Sequence, residues 1–208
     1  MKDIIIVGAG GFGRDVLHLI QKINNVSKKW NIKGFIDDNC NALQEVKCDY
    51  EIIGSIKDWI PSDNEMFALG ISTPKTKELV VNLLKSRGAY FATLINPITS
   101  IAQYTEIGEG CIVTSGSIGD NVRIGKFIHI AGSMIGQGSV IGDFSTITGF
   151  VNVVSAFVGK RVFIGTHAVV LNGRKIGDDA FICAGSIVFN HVKPNVKVFG
   201  NPAKKINL

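Results

Sequence analysis

The chain has 208 residues, 46% hydrophobic and 19% charged, with a net charge of +5. That composition fits a folded globular protein long enough for a sizeable core, of one or two domains, and excludes a disordered polyelectrolyte. The surplus of positive charge lies in the second half, where residues 101–208 carry 10 Lys/Arg against 6 Asp/Glu; without a basic run, a helix-turn-helix pattern or an aromatic platform it points away from nucleic acid and towards a polyphosphate ligand.

Asp3 to Val7 is an apolar, β-rich run that ends in Gly8-Ala9-Gly10-Gly11-Phe12-Gly13. A helical stretch follows, with Val16, Leu17, Ile20 and Ile23 on one face. Strand, Gly-rich turn and helix match the G-x-G-x-x-G arrangement, in which backbone N–H groups approach a phosphate at a helix N-terminus. His18 on this helix reads as a surface residue. The opening apolar run is too short to span a bilayer and Lys2-Asp3 is no signal-peptide start, so a cytoplasmic protein with no membrane partner is expected.

A second strand over 32–36 ends at Asp37-Asp38, 24 residues past Gly13. An acid there either binds ribose hydroxyls or sits in a solvated turn. Met66 to Ile71 is a further strand leading to Ser72. Thr73 and Pro74 then open a helix as N-cap and first helical residue, running to Arg87. Another strand over 89–94 completes a small α/β sheet of four or five strands. Such a unit is too short for a dinucleotide, which needs two halves, and suits a mononucleotide.

From Ile101 onward an aliphatic residue returns about every sixth position, as in IGDNVR, IGKFIH, IGQGSV, IGDFST, VGKRVF and IGTHAV. Every third repeat opens 17 or 18 residues on, at 101, 118, 135, 153, 170 and 188. This predicts a triangular coil of three short strands, repeated about five times, in which no single coil buries its own face. Glycine in second place is expected to turn the chain through its tolerance of positive φ. Small or β-branched residues in fifth place fill the corner. The four cysteines lack paired metal-ligand spacing and read as free thiols, with no metal site.

The tandem sixes, with the ending Val198-Phe199-Gly200-Asn201-Pro202-Ala203-Lys204-Lys205-Ile206, resemble the left-handed parallel β-helix of the hexapeptide-repeat acyltransferases. With the Gly-rich unit in front, the whole chain resembles the sialic acid O-acetyltransferase-like group, which includes bacterial UDP-4-amino-sugar N-acetyltransferases. The resemblance implies a Rossmann-like half domain at 1–95 that holds a nucleotide sugar. It implies a left-handed β-helix with a C-terminal tail at 96–208 that uses acetyl-CoA, in homotrimers with sites between subunits. It places Gly8, Gly10, Gly11, Gly13, Asp37, Asp38, Ser72 and Thr73 at the nucleotide.

Acyl transfer to an amine needs a base. The family's Glu-His pair falls on Gly136 and Gln137, and the His that contacts acetyl-CoA falls on Thr146. Gln137 hydrogen-bonds but takes no proton at neutral pH. His129, one corner away, is either a substitute base or a surface corner residue, and His167 and His191 read as outward-facing. Lys160, Arg161, Arg174 and Lys175 either meet the phosphates of coenzyme A or are solvated. Three functions follow: an acyltransferase on a nucleotide-linked amino sugar for surface-polysaccharide synthesis, a trimeric nucleotide-sugar-binding or regulatory protein that has lost the base, or a sugar O-acyltransferase.

Overall fold

The computed structural model describes residues 1–206, which fall into two compact units, Met1–Pro97 and Ile98–Leu208. In the first unit, β1 (Lys2–Val7), β2 (Trp30–Ile36), β3 (Ile52–Gly54), β4 (Glu65–Leu69) and β5 (Tyr90–Phe91) form an all-parallel sheet in the order β3-β2-β1-β4-β5. Ile4 to Val7 of the central strand are fully buried, because a parallel strand covered on both faces must be apolar throughout. β3 is absent from the sequence reading; its three residues show no alternation to detect.

Helix α1 (Gly11–Val26) buries Gly13, Val16, Leu17, Leu19 and Ile20. It lies so close to the sheet that Gly13 admits no side chain, since a Cβ there would strike the Gly8 carbonyl. Gly70, at the end of β4, meets the same helix: a Cβ on it would come within 2.7 Å of the Gly13 Cα. Helix α2 (Pro74–Ser86) has Thr73 as its N-cap and Pro at its start, but the Thr73 side chain makes no capping hydrogen bond.

The second unit is a left-handed parallel β-helix made of two- to seven-residue strands. Its strands stack in three columns one coil apart: Ile107, Ile124, Ile141, Val158 and Ile176 in one, Ile130, Ile147, Ile164, Ile182 and Val198 in the second, Ile118, Ile135, Val153, Val170 and Val188 in the third. From Ile118 to Val198 these column residues are 5% exposed or less. Burying each such side chain contributes roughly 1.5–3 kcal/mol, and the core is the sum over coils.

The glycines in second place serve a purpose other than positive φ. None of Gly108, Gly119, Gly142 or Gly165 is left-handed. Each instead faces the backbone of the next coil, and a Cβ would come within 2.5 Å of Gly125 O, 2.7 Å of Gln137 N, 2.5 Å of Gly159 C and 2.5 Å of Ala184 N respectively. Left-handed geometry falls on the fourth place: Tyr104, Asn121, Phe127, Phe144, Phe150, Arg161, His167 and Asp179 have φ between 53° and 62°. At these corners the amide donates to a carbonyl one coil below, as in Phe144 N to Lys126 O at 2.9 Å and Arg161 N to Asp143 O at 2.8 Å. Repeated inter-coil bonding offsets a conformation that costs non-glycine residues about 1–2 kcal/mol each.

Candidate functional site

At the C-terminal end of the parallel sheet, the Gly8–Gly13 turn connects β1 to α1. Gly8 has φ of 97°, a value that favours glycine. Gly10 is the N-cap of α1, and a Cβ on it would meet nothing within 4 Å. Gly11 is equally open, with only the Arg14 guanidinium at 3.9 Å. The turn is therefore bare where a helix N-terminus presents its first amides, the arrangement that accommodates a phosphate.

Asp37 closes this turn from the end of β2. One carboxylate oxygen accepts the Ala9 N–H at 2.7 Å and the other accepts the Asn39 N–H at 2.8 Å. Asp38 accepts the Lys57 N–H at 3.1 Å. Both acids thus organise loops, and each Asp37 oxygen keeps a further lone pair for a hydroxyl. Ser72 and Thr73 follow β4, which is adjacent to β1, and Thr73 is exposed. The first unit so gathers Gly8, Gly10, Gly11, Asp37, Ser72 and Thr73 at the strand ends, with Gly13 beneath as a packing residue.

Arg14 was not singled out by the sequence. Its guanidinium donates to Ala9 O at 3.2 Å and borders a cavity of about 320 Å³ shared with His18, Gln21, Lys47 and Asp49. The signal was there as a basic residue directly after the Gly-rich turn; the 47–49 segment is too far along the chain to be linked to it by spacing.

In the solenoid, His129 is 0% exposed. It is not the surface corner residue its slot suggested: it lies in a strand, paired in register with Ile112 and Thr146, with its N–H on Ser145 O at 3.1 Å. A base must reach the proton it takes, and a fully buried imidazole offers no face to a substrate. Thr146 is 3% exposed beside it. Gln137 is exposed, its carbonyl accepting the Ser155 hydroxyl at 2.8 Å. Gly136 is a packed glycine whose Cβ would approach Val153 O to 2.9 Å.

The basic residues divide. Arg161 is held by Asp179 in a two-point pair, Nε to Oδ1 at 2.9 Å and Nη2 to Oδ2 at 2.8 Å. Arg174 donates to Asn172 O and Phe189 O. Lys160 makes only a 3.7 Å contact with Asp143 and, like Lys175, extends into solvent. Of the four, the two lysines keep their charge available. His167 is exposed and stacked on Phe150, while His191 accepts the Lys175 N–H at 3.0 Å. No His/Cys/Asp/Glu group among the described residues is arranged to hold a metal ion, and no described helix is long and apolar enough to cross a membrane.

Residues 3–84 match the PglD N-terminal domain, and residues 115–149 match the bacterial transferase hexapeptide repeat. The chain thus carries a PglD-type N-terminal domain followed by hexapeptide repeats. Among solved structures, the acetyltransferase domain of PglB from Neisseria gonorrhoeae superposes with a TM-score of 0.89 at 18% identity, over 99% of this chain and 100% of that one. PerB from Caulobacter crescentus, solved with CoA and GDP-perosamine, gives 0.82 at 20% identity over 100% and 98%. WeeI from Acinetobacter baumannii gives 0.65 at 27% identity over 99% and 100%.

Among curated proteins, the bifunctional protein GlmU of Rhizobium rhizogenes is 27% identical over 116 residues, 55% of this chain. The galactoside O-acetyltransferase of Escherichia coli is 45% identical over 49 residues, 24% of this chain. The chain spans only about a quarter of the length of these curated relatives, 26% and 24% respectively.

Proposed function

We propose that the chain is an acetyl-CoA-dependent acyltransferase acting on a nucleotide-linked amino sugar in surface-polysaccharide or glycan biosynthesis. The first unit, 1–95 in function, binds the nucleotide sugar, and the β-helix from 96 onward carries the acyl donor. The carrying observation is the bare Gly10–Gly11 turn at the N-terminus of α1, clamped from β2 by Asp37. Packing requires no glycine there, whereas close approach of a diphosphate does. Support also comes from the likeness, over nearly the whole chain, to an acetyltransferase domain solved with acetyl coenzyme A and to a GDP-perosamine N-acetyltransferase solved with CoA and GDP-perosamine.

In the reaction the amine lone pair forms a C–N bond to the thioester carbonyl carbon. The C–S bond breaks, and the proton lost from nitrogen ends on the coenzyme sulfur. Acetyl-CoA is a co-substrate, which Lys160 and Lys175 attract through its phosphates, with Arg161 and Arg174 holding their corners in place. Thr146 and Gln137 occupy the family's donor and base positions. A homotrimer in the cytoplasm, with sites between subunits, completes this reading.

One observation favours a second reading, a nucleotide-sugar-binding or regulatory trimer. The family's base position is Gln137, and the substitute His129 is buried. Transfer by positioning alone then leaves a slow enzyme, faster at high pH where the amine is neutral. O-acylation keeps the same fold and places a hydroxyl where the amine attacks. Calorimetric titration with coenzyme A and with UDP-, GDP- and dTDP-linked amino sugars tests the reading. Saturable binding of coenzyme A and of one nucleotide class is expected; binding of neither overturns it.

A further inference from the structure

Arg14 directly follows the Gly-rich turn, and the proposed function leaves it without a role. It lies one turn into α1, on the helix face it shares with Gly10 and Gly11. Its amide closes the first helical turn on Gly10 O at 3.1 Å. Its Nη1 donates to Ala9 O at 3.2 Å. Its Nη2 stands 3.9 Å from the place a Cβ on Gly11 would take. Apart from the adjoining residues and the helix backbone, nothing else lies within 4 Å of that place. The guanidinium is therefore pinned at the rim of the bare turn.

In the free protein this placement is electrostatically unfavourable. A helix N-terminus carries partial positive charge, which repels a cation in the opening turns. No acid occupies the first turn of α1 to offset it. Asp49 lines the same cavity as Arg14, yet among the described residues no carboxylate comes within ion-pair distance of the guanidinium. Asp37, the acid nearest the turn in the hydrogen-bond pattern, accepts the Ala9 N–H with one oxygen and the Asn39 N–H with the other. Ala9 is thus gripped from both sides, by the acid at its N–H and by the arginine at its carbonyl. A residue that opposes its local electrostatics without a partner in the fold marks a functional position.

A guanidinium presents its N–H donors in a planar fork that matches a phosphate, and the Ala9 carbonyl engages only one side of it. Residues 3–13 contain no Lys or Arg, so the turn itself offers amide dipoles and no full charge. Amides at a helix N-terminus suit one phosphate group. A diphosphate brings a second, joined to the first through a bridging oxygen and therefore close to the rim of the turn.

We propose that Arg14 is the specificity-determining residue for the diphosphate: the turn amides seat one phosphate and the guanidinium pairs with the other. This rests on the nucleotide-sugar reading above. Wild type should then bind a nucleoside diphosphate roughly tenfold or more tighter than the monophosphate of the same base, the effect of one charge-assisted contact. Arg14→Gln keeps a donor for the Ala9 carbonyl and removes the charge. It should lose most of that preference while retaining the monophosphate affinity of wild type. Its melting temperature should not fall, since a cation leaves the positive end of a helix. Arg14→Lys, which keeps the charge without the fork, should retain part of the preference.

Calorimetry of uridine, guanosine and thymidine mono- and diphosphates against the three proteins, with thermal unfolding of each protein alone, decides the matter. A diphosphate preference that survives intact in Arg14→Gln overturns the proposal, as does a wild type that shows no preference. Equal loss of mono- and diphosphate binding in Arg14→Gln overturns it too, and a lower melting temperature then makes Arg14 a support of the turn. Wild type that binds none of these nucleotides refutes the nucleotide-sugar reading itself, a result distinct from the others.

Discussion

Both units hold glycines fixed by packing, and the first adds an open pair at a helix N-terminus. In the β-helix, Gly108, Gly119, Gly142 and Gly165 are fixed by the neighbouring coil, which leaves less than 2.8 Å for a Cβ. Gly13 is of the same kind, wedged against Gly8. Gly10 and Gly11 face open space. A glycine that packing demands belongs to the fold; one that packing ignores, at a helix N-terminus, leaves room for the phosphate of the proposed ligand. The same contrast separates two neighbours in the corner proposed for acyl transfer, where Gly136 is packed and Gln137 is exposed.

The largest effect should come from that corner. Gln137→His leaves the packing alone and supplies an imidazole at an exposed site, so the transfer rate should rise by roughly a hundredfold to ten-thousandfold. Gly136→Glu should instead lower stability, because its Cβ would press on the Val153 carbonyl at 2.9 Å. Steady-state acetyl transfer beside urea denaturation separates the two. An inert but stable Gln137→His would show that the corner is not where the chemistry happens.

The glycine contrast itself predicts that Gly13→Ala and Gly165→Ala each lose roughly 3 kcal/mol or more, since rigid backbone blocks the added methyl. Gly10→Val should fold with a loss of about 1 kcal/mol or less yet lose nucleotide-sugar binding. Equal stability losses in all three would erase the distinction.

Asp37→Ala removes the acceptor of two backbone N–H groups, and should cost about 2–3 kcal/mol in stability as well as weakening nucleotide binding. A purely ligand-contacting residue would move affinity alone, so thermal unfolding without ligand discriminates. Smaller still, Arg161→Ala breaks a partly buried two-point pair and should cost about 1–2 kcal/mol, with little change in coenzyme A affinity. A large affinity loss at unchanged stability would return Arg161 to the phosphates.

The β-helix was legible in the sequence because its period is the fold: Ile118, Ile135, Val153 and Val170 stack as their spacing of 17 or 18 requires. The helix and strand flanking the Gly-rich turn were legible for the same reason, as local patterns. The purpose of the second-place glycines was not, since proximity between coils is a three-dimensional fact and φ is invisible in a sequence. Nor could spacing show that Asp37 grips Ala9, or that His129 is buried in a strand rather than set on a corner.

Under the proposed function, this chain moves an acetyl group from coenzyme A to the amine of a nucleotide-linked sugar. Mass spectrometry of a panel of UDP-, GDP- and dTDP-linked amino sugars, incubated with acetyl-CoA and the wild-type protein across a range of pH, tests it most directly. One acetyl group added to the sugar nitrogen of one nucleotide class, faster as pH rises, is the predicted result. Tight binding of both ligands with no acetylated product at any pH would contradict it and identify a binding protein.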